Sequence, residues 1–334
     1  DGGPRSSWAE VRREFHQAWL SESGSDYQQR LKNLDGLLRE SWKEPSLESM
    51  AEETVSLHVS RCIFYVFFGV WVTEDEATVL ALWRGLATFF VQPRLIHRLA
   101  FNLTLYPIMS LRAQTLGIVR KYRLEPVFSR MNASMSPGNR RPSDVQFYDE
   151  VMFAIGFAGI GGATAGAVSV GKFLMAQESP DVSGGVDFGG RDQAAMISIF
   201  QKEPQKFIQE TCRISSPVGT FTTCLKRAED LGILGGGLSP AGTFLAGVIN
   251  VANLDPAVFP EPLRFDPFRP NLCDALTWNG KAFGADEDKY LRICPGRFLA
   301  IEIISHLAHI AIGASKSPML TRPRGARDSS CKSQ

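Results

Sequence analysis

Residues 292–300 read Arg292-Ile-Cys294-Pro-Gly296-Arg297-Phe-Leu-Ala300, and they join a Pro- and Asp-rich segment to an apolar stretch that predicts a last helix over 297–312. A cysteine just ahead of a helix lies where the amide dipoles favour an anion, which lowers the thiol pKa and favours a thiolate. Gly296 lets a bulky planar partner approach the backbone, and Arg292 could meet a carboxylate beside a metal. Cys294 could equally be an ordinary core cysteine, and this stretch alone leaves both interpretations open.

Two earlier segments carry charges that could meet in space. Glu210-Thr-Cys-Arg213 places an acid and a base three residues apart on one face of a helix predicted over 204–214, where they could pair. Phe265-Asp-Pro267-Phe-Arg269 follows and offers a second arginine that could reach Glu210. Such pairs are common when taken singly, so their order along the chain matters more than either segment.

The three segments together resemble the signature of the cytochrome P450 superfamily, which is a helical Glu-x-x-Arg, a Phe-x-Pro-x-Arg segment and an Arg-x-Cys-x-Gly haem loop. The resemblance implies a mainly helical haem-thiolate fold with a small β portion, incomplete here, and haem b as the cofactor. Cys294 would be the axial ligand of the iron, with Arg292 on a propionate and Gly296 against the porphyrin. Thiolate ligation favours O–O cleavage. The resemblance also implies a buried structural triad of Glu210, Arg213 and Arg269.

The amino-terminal segment Trp8-Ala-Glu-Val-Arg12 resembles the superfamily's Trp-x-x-x-Arg helix, whose two side chains donate to a haem propionate. A Trp and an Arg one turn apart also occur by chance, so both interpretations stay open. If the likeness holds, the chain lacks what the superfamily places before that helix, including any membrane anchor. We expect one haem-thiolate domain over residues 1–319 and a disordered tail over 320–334.

Residues 151–171 contain no charged side chain and are long enough to span a bilayer. The run is rich in Gly and Ala, and small residues permit close approach of a flat ligand or another helix, so we favour a buried helix. Most monooxygenases of the superfamily place an acid and a Thr in this helix to deliver protons during dioxygen activation. Gly161 and Gly162 stand at those two positions here, and Thr164 comes two positions late.

Two departures from the common pattern resemble the clan of allene oxide synthases and fatty-acid hydroperoxide lyases. Residues 157–162, Phe-Ala-Gly-Ile-Gly-Gly, are similar to that clan's Phe-Asn-x-x-Gly-Gly, with Ala158 in place of the Asn, which bears on the product formed. Trp278-Asn-Gly280 opens a lengthened loop similar to the clan's Trp-Ser-Asn-Gly. A hydroperoxide already contains the reduced O–O bond, so electron delivery and a proton relay are unnecessary. The catalytic positions implied by this resemblance are Cys294, Ala158, Gly161 and Gly162.

Composition restricts the partners. The chain has 36 Lys and Arg against 35 Asp and Glu, a net charge of +1 that gives no electrostatic case for nucleic acid. Its 22 Phe argue against disorder. Six Cys are too sparse for a disulfide scaffold and predict thiols in a reducing compartment. The sequence does not specify the location. An intracellular protein is expected, and association with endoplasmic-reticulum or plastid membranes is left open. The expected partner is a lipid hydroperoxide or another apolar small molecule. Peripheral contact with a membrane is also compatible with this expectation.

Three functions remain open at this point. The leading hypothesis is a haem-thiolate enzyme that cleaves or rearranges lipid hydroperoxides without a redox partner. The second is a conventional monooxygenase that uses dioxygen and a reductase, with Thr164 or ordered water delivering protons. The third is a truncated, inactive paralogue. Turnover of a fatty-acid hydroperoxide without NADPH separates the first two.

Overall fold

The structure is a computed structural model, and the parts of the chain that it describes are residues 25–86, 101–134, 148, 151–152, 154–177, 184–225, 227–230, 237–278, 294 and 296–315. The described α-helices, in chain order, are α1 (Ser25–Ser41), α2 (Glu52–Phe68), α3 (Glu74–Ala81), α4 (Phe101–Lys121), α5 (Glu125–Ser134), α6 (Gly161–Leu174), α7 (Gln193–Lys202), α8 (Pro204–Ile214), α9 (Ile249–Asn253) and α10 (Arg297–Ala311). A 3-10 helix follows α3 at Leu82–Leu86, and a π-helix at Ala154–Ile160 leads into α6.

The β portion is small and antiparallel. Strand β1 (Thr220–Cys224) pairs with β4 (Phe244–Val248), and between them β2 (Glu229–Asp230) pairs with β3 (Leu238–Ser239). The sequence predicts short strands around a turn at 235–237, and β2 and β3 are the strands that flank this turn. The predicted mainly helical fold with a small β portion is therefore confirmed.

The helix α6 lies at the centre of the described core, packed against α2, α8 and α10. Phe173 near its carboxyl end is fully buried, and its ring centroid lies 5.3 Å from that of Phe265 in the Phe-x-Pro-x-Arg segment. Phe207 of α8 lies 4.9 Å from the same Phe265 ring. Edge-to-face aromatic packing of this kind fixes the irregular segment onto the helical core.

Two ends of neighbouring helices follow simple local rules. Gly69 ends α2 in the left-handed conformation, with φ of 73°, and donates its backbone N–H to the carbonyl of Tyr65. Thr73 begins α3 with a capping box, in which its side chain accepts from the Glu76 N–H while the Glu76 carboxylate accepts from the Thr73 N–H. The sequence predicts helices over 47–72 and 75–101. The first is shorter, at Glu52–Phe68, whereas for the second the structure describes α3 (Glu74–Ala81) and the 3-10 turn Leu82–Leu86, and residues 87–100 lie outside the described chain.

Other predictions of helices are corrected in part. The sequence predicts a helix over 111–131, and the structure has two helices there, because Arg123 adopts a φ of 54° between α4 and α5. The apolar spacing also predicts amphipathic helix over 8–44. The described helical part of that stretch is α1, and residues 1–24 lie outside the described chain. The predictions over 204–214 and 297–312 match α8 and α10 to within a residue.

The uncharged run over 151–171 forms the π-helix and most of α6 in its described residues, and α6 is buried on several faces. Within the part of the chain that the structure describes, no helix combines the length and apolarity that a membrane span requires. The buried-helix interpretation of this run is therefore the one that the structure supports.

We predict that Gly156→Ala destabilises the fold. A Cβ at Gly156 would lie 2.5 Å from the Cβ of Trp83, and the indole of Trp83 is held by a hydrogen bond of 3.0 Å to the Thr115 hydroxyl. Overpacking against a fixed neighbour costs about 1–3 kcal/mol. Urea unfolding followed by circular dichroism measures the loss. Gly117→Ala is the control, because nothing lies within 4 Å of its added methyl group, and its stability is expected to stay equal or rise.

Candidate active site

Both backbone polar groups of Cys294, the N–H and the carbonyl, make hydrogen bonds. Its backbone N–H donates to the carbonyl of Trp278 at 2.7 Å, and its own carbonyl accepts from Nη1 of Arg297 at 3.1 Å. Cys294 is a reduced cysteine and partly exposed, two positions before the Gly296 N-cap of α10. A thiol at a helix start lies where the dipole stabilises a negative charge, so its position is compatible with the predicted metal-ligand role.

Arg297 adds a positive charge beside this cysteine. It is 4% exposed, and its guanidinium carbon lies 4.4 Å from the centre of the Phe298 ring. The backbone N–H of Arg297 also donates to the Cys294 carbonyl at 3.4 Å. The sequence analysis included Arg297 in the motif without a role. The three-residue spacing between Cys294 and Arg297 is the sequence feature from which this contact could have been predicted.

The surroundings of Gly296, Gly161 and Gly162 would accept an added Cβ, and their predicted roles toward a bound group stay predictions. A Cβ at Gly296 would approach only the Sγ of Cys294, at 3.9 Å, and a Cβ at Gly162 would meet nothing within 4 Å. At Gly161 the nearest atom would be the Cβ of Arg84, at 3.6 Å, an ordinary contact. Both Gly161 and Gly162 follow directly on the π-helix, a distortion frequently found at functional sites. Ala158 lies within the π-helix.

Thr164 has an unusual environment for a helical threonine. It is 2% exposed, and its hydroxyl has no hydrogen-bond partner among the described residues. A threonine inside a helix commonly donates to the carbonyl four residues earlier, which here is Ile160 at the end of the π-helix. The hydroxyl is therefore buried without a hydrogen-bond partner among the described residues, one turn after the π-helix gives way to α6.

The structure brings Glu210, Arg213 and Arg269 together. Arg213 donates two hydrogen bonds to the carboxylate of Glu210, from Nε to Oε2 at 2.7 Å and from Nη2 to Oε1 at 2.9 Å. Nε of Arg269 donates a third, to Oε1 at 3.0 Å. The side chains of Glu210 and Arg213 are fully buried, and that of Arg269 is 6% exposed. Paired, charge-assisted bonds of this kind compensate the burial of all three charges.

The two guanidinium groups also bind backbone carbonyls of the irregular segment. Arg213 donates to the carbonyls of Asn253 at 2.7 Å and Pro262 at 2.8 Å. Arg269 donates to the carbonyl of Arg264 at 2.7 Å, and the N–H of Asp266 donates to Glu210 at 3.1 Å. The triad thus ties α8 to residues 253–269, a stretch with little regular structure of its own.

Some predicted residues lie outside the described part of the chain: Trp8, Arg12 and Arg292. Their roles toward a propionate stay predictions, as do the loop insertion beyond Trp278 and the tail over 320–334. The expectation of reduced thiols needs one correction. Cys62, Cys212 and Cys294 are reduced, whereas Cys273 is disulfide-bonded.

The residues present fit a haem group. A partly exposed thiol stands at the start of α10 with a buried cation beside it, and open space lies at Gly162, where a side chain would otherwise stand. Among the described residues, no cluster of three or more His, Cys, Asp or Glu could hold a bare metal ion. The donor set is that of a single thiolate, which suits a metal already held by a macrocycle.

Taken together, these features define a mainly helical fold with a reduced cysteine at the start of its last helix and a buried Glu–Arg–Arg triad. No protein-family model matches the chain, and a search of curated proteins finds no match. Solved structures do match. One is an unusual cytochrome P450-like monooxygenase involved in microbial secondary metabolism, with a TM-score of 0.62 and 16% identity, covering 91% of this chain and 72% of that one.

Two further solved structures have the same architecture. The myxobacterial cytochrome P450 CYP267B1, in complex with myristic acid, gives a TM-score of 0.61 at 17% identity, over 91% of this chain and 68% of that one. CYP109E1 from Bacillus megaterium, in complex with corticosterone, gives 0.56 at 16% identity, over 91% and 74%. The chain therefore has the cytochrome P450 fold, and it spans between 64% and 74% of the solved chains compared.

Proposed function

We propose that the chain is a haem-thiolate enzyme that cleaves or rearranges the O–O bond of lipid hydroperoxides without an external electron donor. The observation that carries this proposal is the pair of glycines at the start of α6. Gly161 and Gly162 offer neither an acid nor an alcohol, and a Cβ at Gly162 would enter open space. A substrate that brings its own reduced O–O bond needs space at this point and no proton relay.

Each residue of the site has a stated task in this proposal. Haem b, when bound, supplies the iron chemistry that breaks the O–O bond. Cys294 would hold the metal through its sulfur, and Trp278 and Arg297 bind the backbone of this residue by hydrogen bonds. The guanidinium of Arg297 binds the carbonyl of Cys294 and places a positive charge beside the cysteine, and Gly296 would let the haem plane approach the backbone. Gly162 leaves room for the hydroperoxide group.

We expect fatty-acid hydroperoxide to be consumed by the haem-loaded chain without NADPH or reductase. Loss of the conjugated diene absorbance of a linoleic acid hydroperoxide measures the turnover. In Gly162→Leu, the open space is filled and turnover is expected to fall about tenfold, the effect of roughly 1.4 kcal/mol on a barrier. Gly117→Leu is the matched control, since Gly117 lies in α4, outside the candidate site, and nothing lies within 4 Å of an added Cβ. Strict dependence on NADPH would contradict the proposal.

A second candidate is a monooxygenase that uses dioxygen and a reductase. The buried hydroxyl of Thr164, which has no partner in the described chain, favours it because such a group can hold a proton-carrying water. The solved structure described as a monooxygenase, and those with myristic acid or corticosterone bound, support an apolar substrate for either candidate. Thr164→Val separates the two, since it lowers NADPH-dependent turnover in a monooxygenase and leaves hydroperoxide turnover unchanged.

A further inference from the structure

Helix α2 carries a guanidinium group in its buried half. Arg61 is 8% exposed and stands next to Cys62, Ile63 and Phe64, which are all buried. Its Nε–H is fully enclosed and has no hydrogen-bond acceptor among the described residues. None of the ion pairs found among these residues includes Arg61. A buried cation without a partner is strongly unfavourable, since the lost hydration of the charge is not compensated.

Two acidic side chains in or beside α2 are engaged with other arginines. Glu52, at the start of α2, binds Nε of Arg84 at 3.0 Å. Asp35 of α1, which packs on α2, binds Nε of Arg39 at 2.8 Å. No ion pair to Arg61 is found among the described residues, so a ligand from solution can supply the missing negative charge.

A second polar group lies beside Arg61. His58 precedes it by three residues, so the two side chains are neighbours on the helix surface. His58 is 5% exposed, its ring stacks on Trp42 with centroids 4.8 Å apart, and its Nδ1 has no hydrogen-bond partner among the described residues. Burial and the charge of Arg61 lower the pKa of His58 to about 4. The ring is therefore neutral at pH 7 and keeps one N–H to donate.

We propose that Arg61 and His58 form an anion-binding site in the interior of the helical layer, and that its ligand is a small carboxylate of the formate or acetate class. A guanidinium presents two parallel N–H groups that match the two oxygens of a carboxylate. The neutral ring of His58 adds a third donor without adding a second charge. This inference uses none of the residues assigned to the haem site, so it stands or falls separately from the proposed function.

The test is the stability of the full chain, expressed with haem supply, as sodium formate replaces sodium fluoride at constant ionic strength and pH 7. A ligand that binds only the folded state raises the folded-to-unfolded ratio by a factor of one plus its concentration over Kd, or about elevenfold at ten times Kd. We expect a saturating rise in the urea midpoint for the native chain. Replacement by sodium chloride is expected to give a smaller rise at the same concentration.

The variant Arg61→Met keeps the length of the side chain and removes its charge. We expect it to be at least as stable as the native chain without formate, because the uncompensated charge is gone, and to show no saturating response to formate. Arg61→Lys keeps the charge and loses the planar fork, and it should need about tenfold more formate, a change of roughly 1.4 kcal/mol in binding. Arg39→Met is the control, since Arg39 is already paired with Asp35.

Each contrary outcome rejects the site. An equal formate response in the native chain and in Arg61→Met would mean a general salt effect, and the absence of any response would mean that no carboxylate binds. An equal response to chloride would reject the assignment to carboxylates. Arg61→Lys keeps the test decisive if Arg61→Met fails to fold. If Arg61→Lys reaches half of its maximal rise in stability at the same formate concentration as the native chain, the proposal is contradicted. An unchanged visible haem spectrum in all variants shows that the haem site was not disturbed.

Discussion

Cys294→Ser is expected to abolish the thiolate haem spectrum and, with it, hydroperoxide turnover. The serine hydroxyl has nearly the same size, so the peptide unit held by Trp278 and Arg297 is kept. Its oxygen remains protonated at neutral pH, whereas a thiol at a helix start is readily ionised. The loss of the anionic sulfur donor removes the electron density that favours O–O cleavage. The ferric absorption spectrum and the diene assay measure the two effects.

The matched control for this prediction is Cys62→Ser. Cys62 is reduced and fully buried within α2, and burial raises the pKa of its thiol far above the usual range. A thiol in that state is neither a nucleophile nor a metal ligand at pH 7, so the haem spectrum should be unchanged. A thiolate spectrum that survives in Cys294→Ser and disappears in Cys62→Ser would reject the assignment of the axial ligand.

The parts of the fold that were predictable carry strong local signals. The residues of α10 are apolar on almost every face, and Pro204 marks the start of α8, where its missing N–H costs nothing. The Glu210–Arg213 contact follows from helical spacing alone. The contact with Arg269 does not, because the whole β portion and α9 lie between α8 and Arg269 in the chain. Local spacing allowed this contact, and only the resemblance to a family implied it.

The features that were missed depend on tertiary contacts. Nothing in the local sequence announces that Arg123 adopts a left-handed conformation between α4 and α5, because an arginine rarely does so. The burial of Arg61 was equally invisible, since a charged residue in an amphipathic helix is normally placed on the solvated face. The helix α7 was also missed, although Asp192 caps it by accepting from the Ala195 N–H. Its short length gives a weak periodicity.

Glu210→Gln is expected to cause the largest loss of stability among single substitutions in the described core. The amide keeps the shape of the carboxylate but leaves the guanidinium groups of Arg213 and Arg269 buried without a counter-charge. Breaking a buried ion pair by removing one partner costs about 3–5 kcal/mol. Since a domain is typically stable by about 5–15 kcal/mol, a large part of the total would be lost. Urea unfolding followed by circular dichroism measures the loss.

The exposed pair Glu261–Arg264 is the control, because it lies in the same irregular segment with N–O separated by 2.9 Å. The carboxylate of Glu261 is 69% exposed, so water replaces its partner readily, and Glu261→Gln should leave stability nearly unchanged. A comparable loss in both variants would mean that charge in this segment matters irrespective of burial.

A variant without the three charges distinguishes the effect of burying charge from the effect of the hydrogen bonds that the arginines make. Replacing all three charges together, as Glu210→Met, Arg213→Met and Arg269→Met, removes the uncompensated charge and should recover part of the stability lost in Glu210→Gln. It cannot recover the hydrogen bonds from the two arginines to the carbonyls of Asn253, Pro262 and Arg264. If stability returns while haem is held less tightly, the triad serves mainly to position the segment that leads to Cys294. If haem retention returns as well, burial of this region is sufficient, and the specific carbonyl contacts are dispensable.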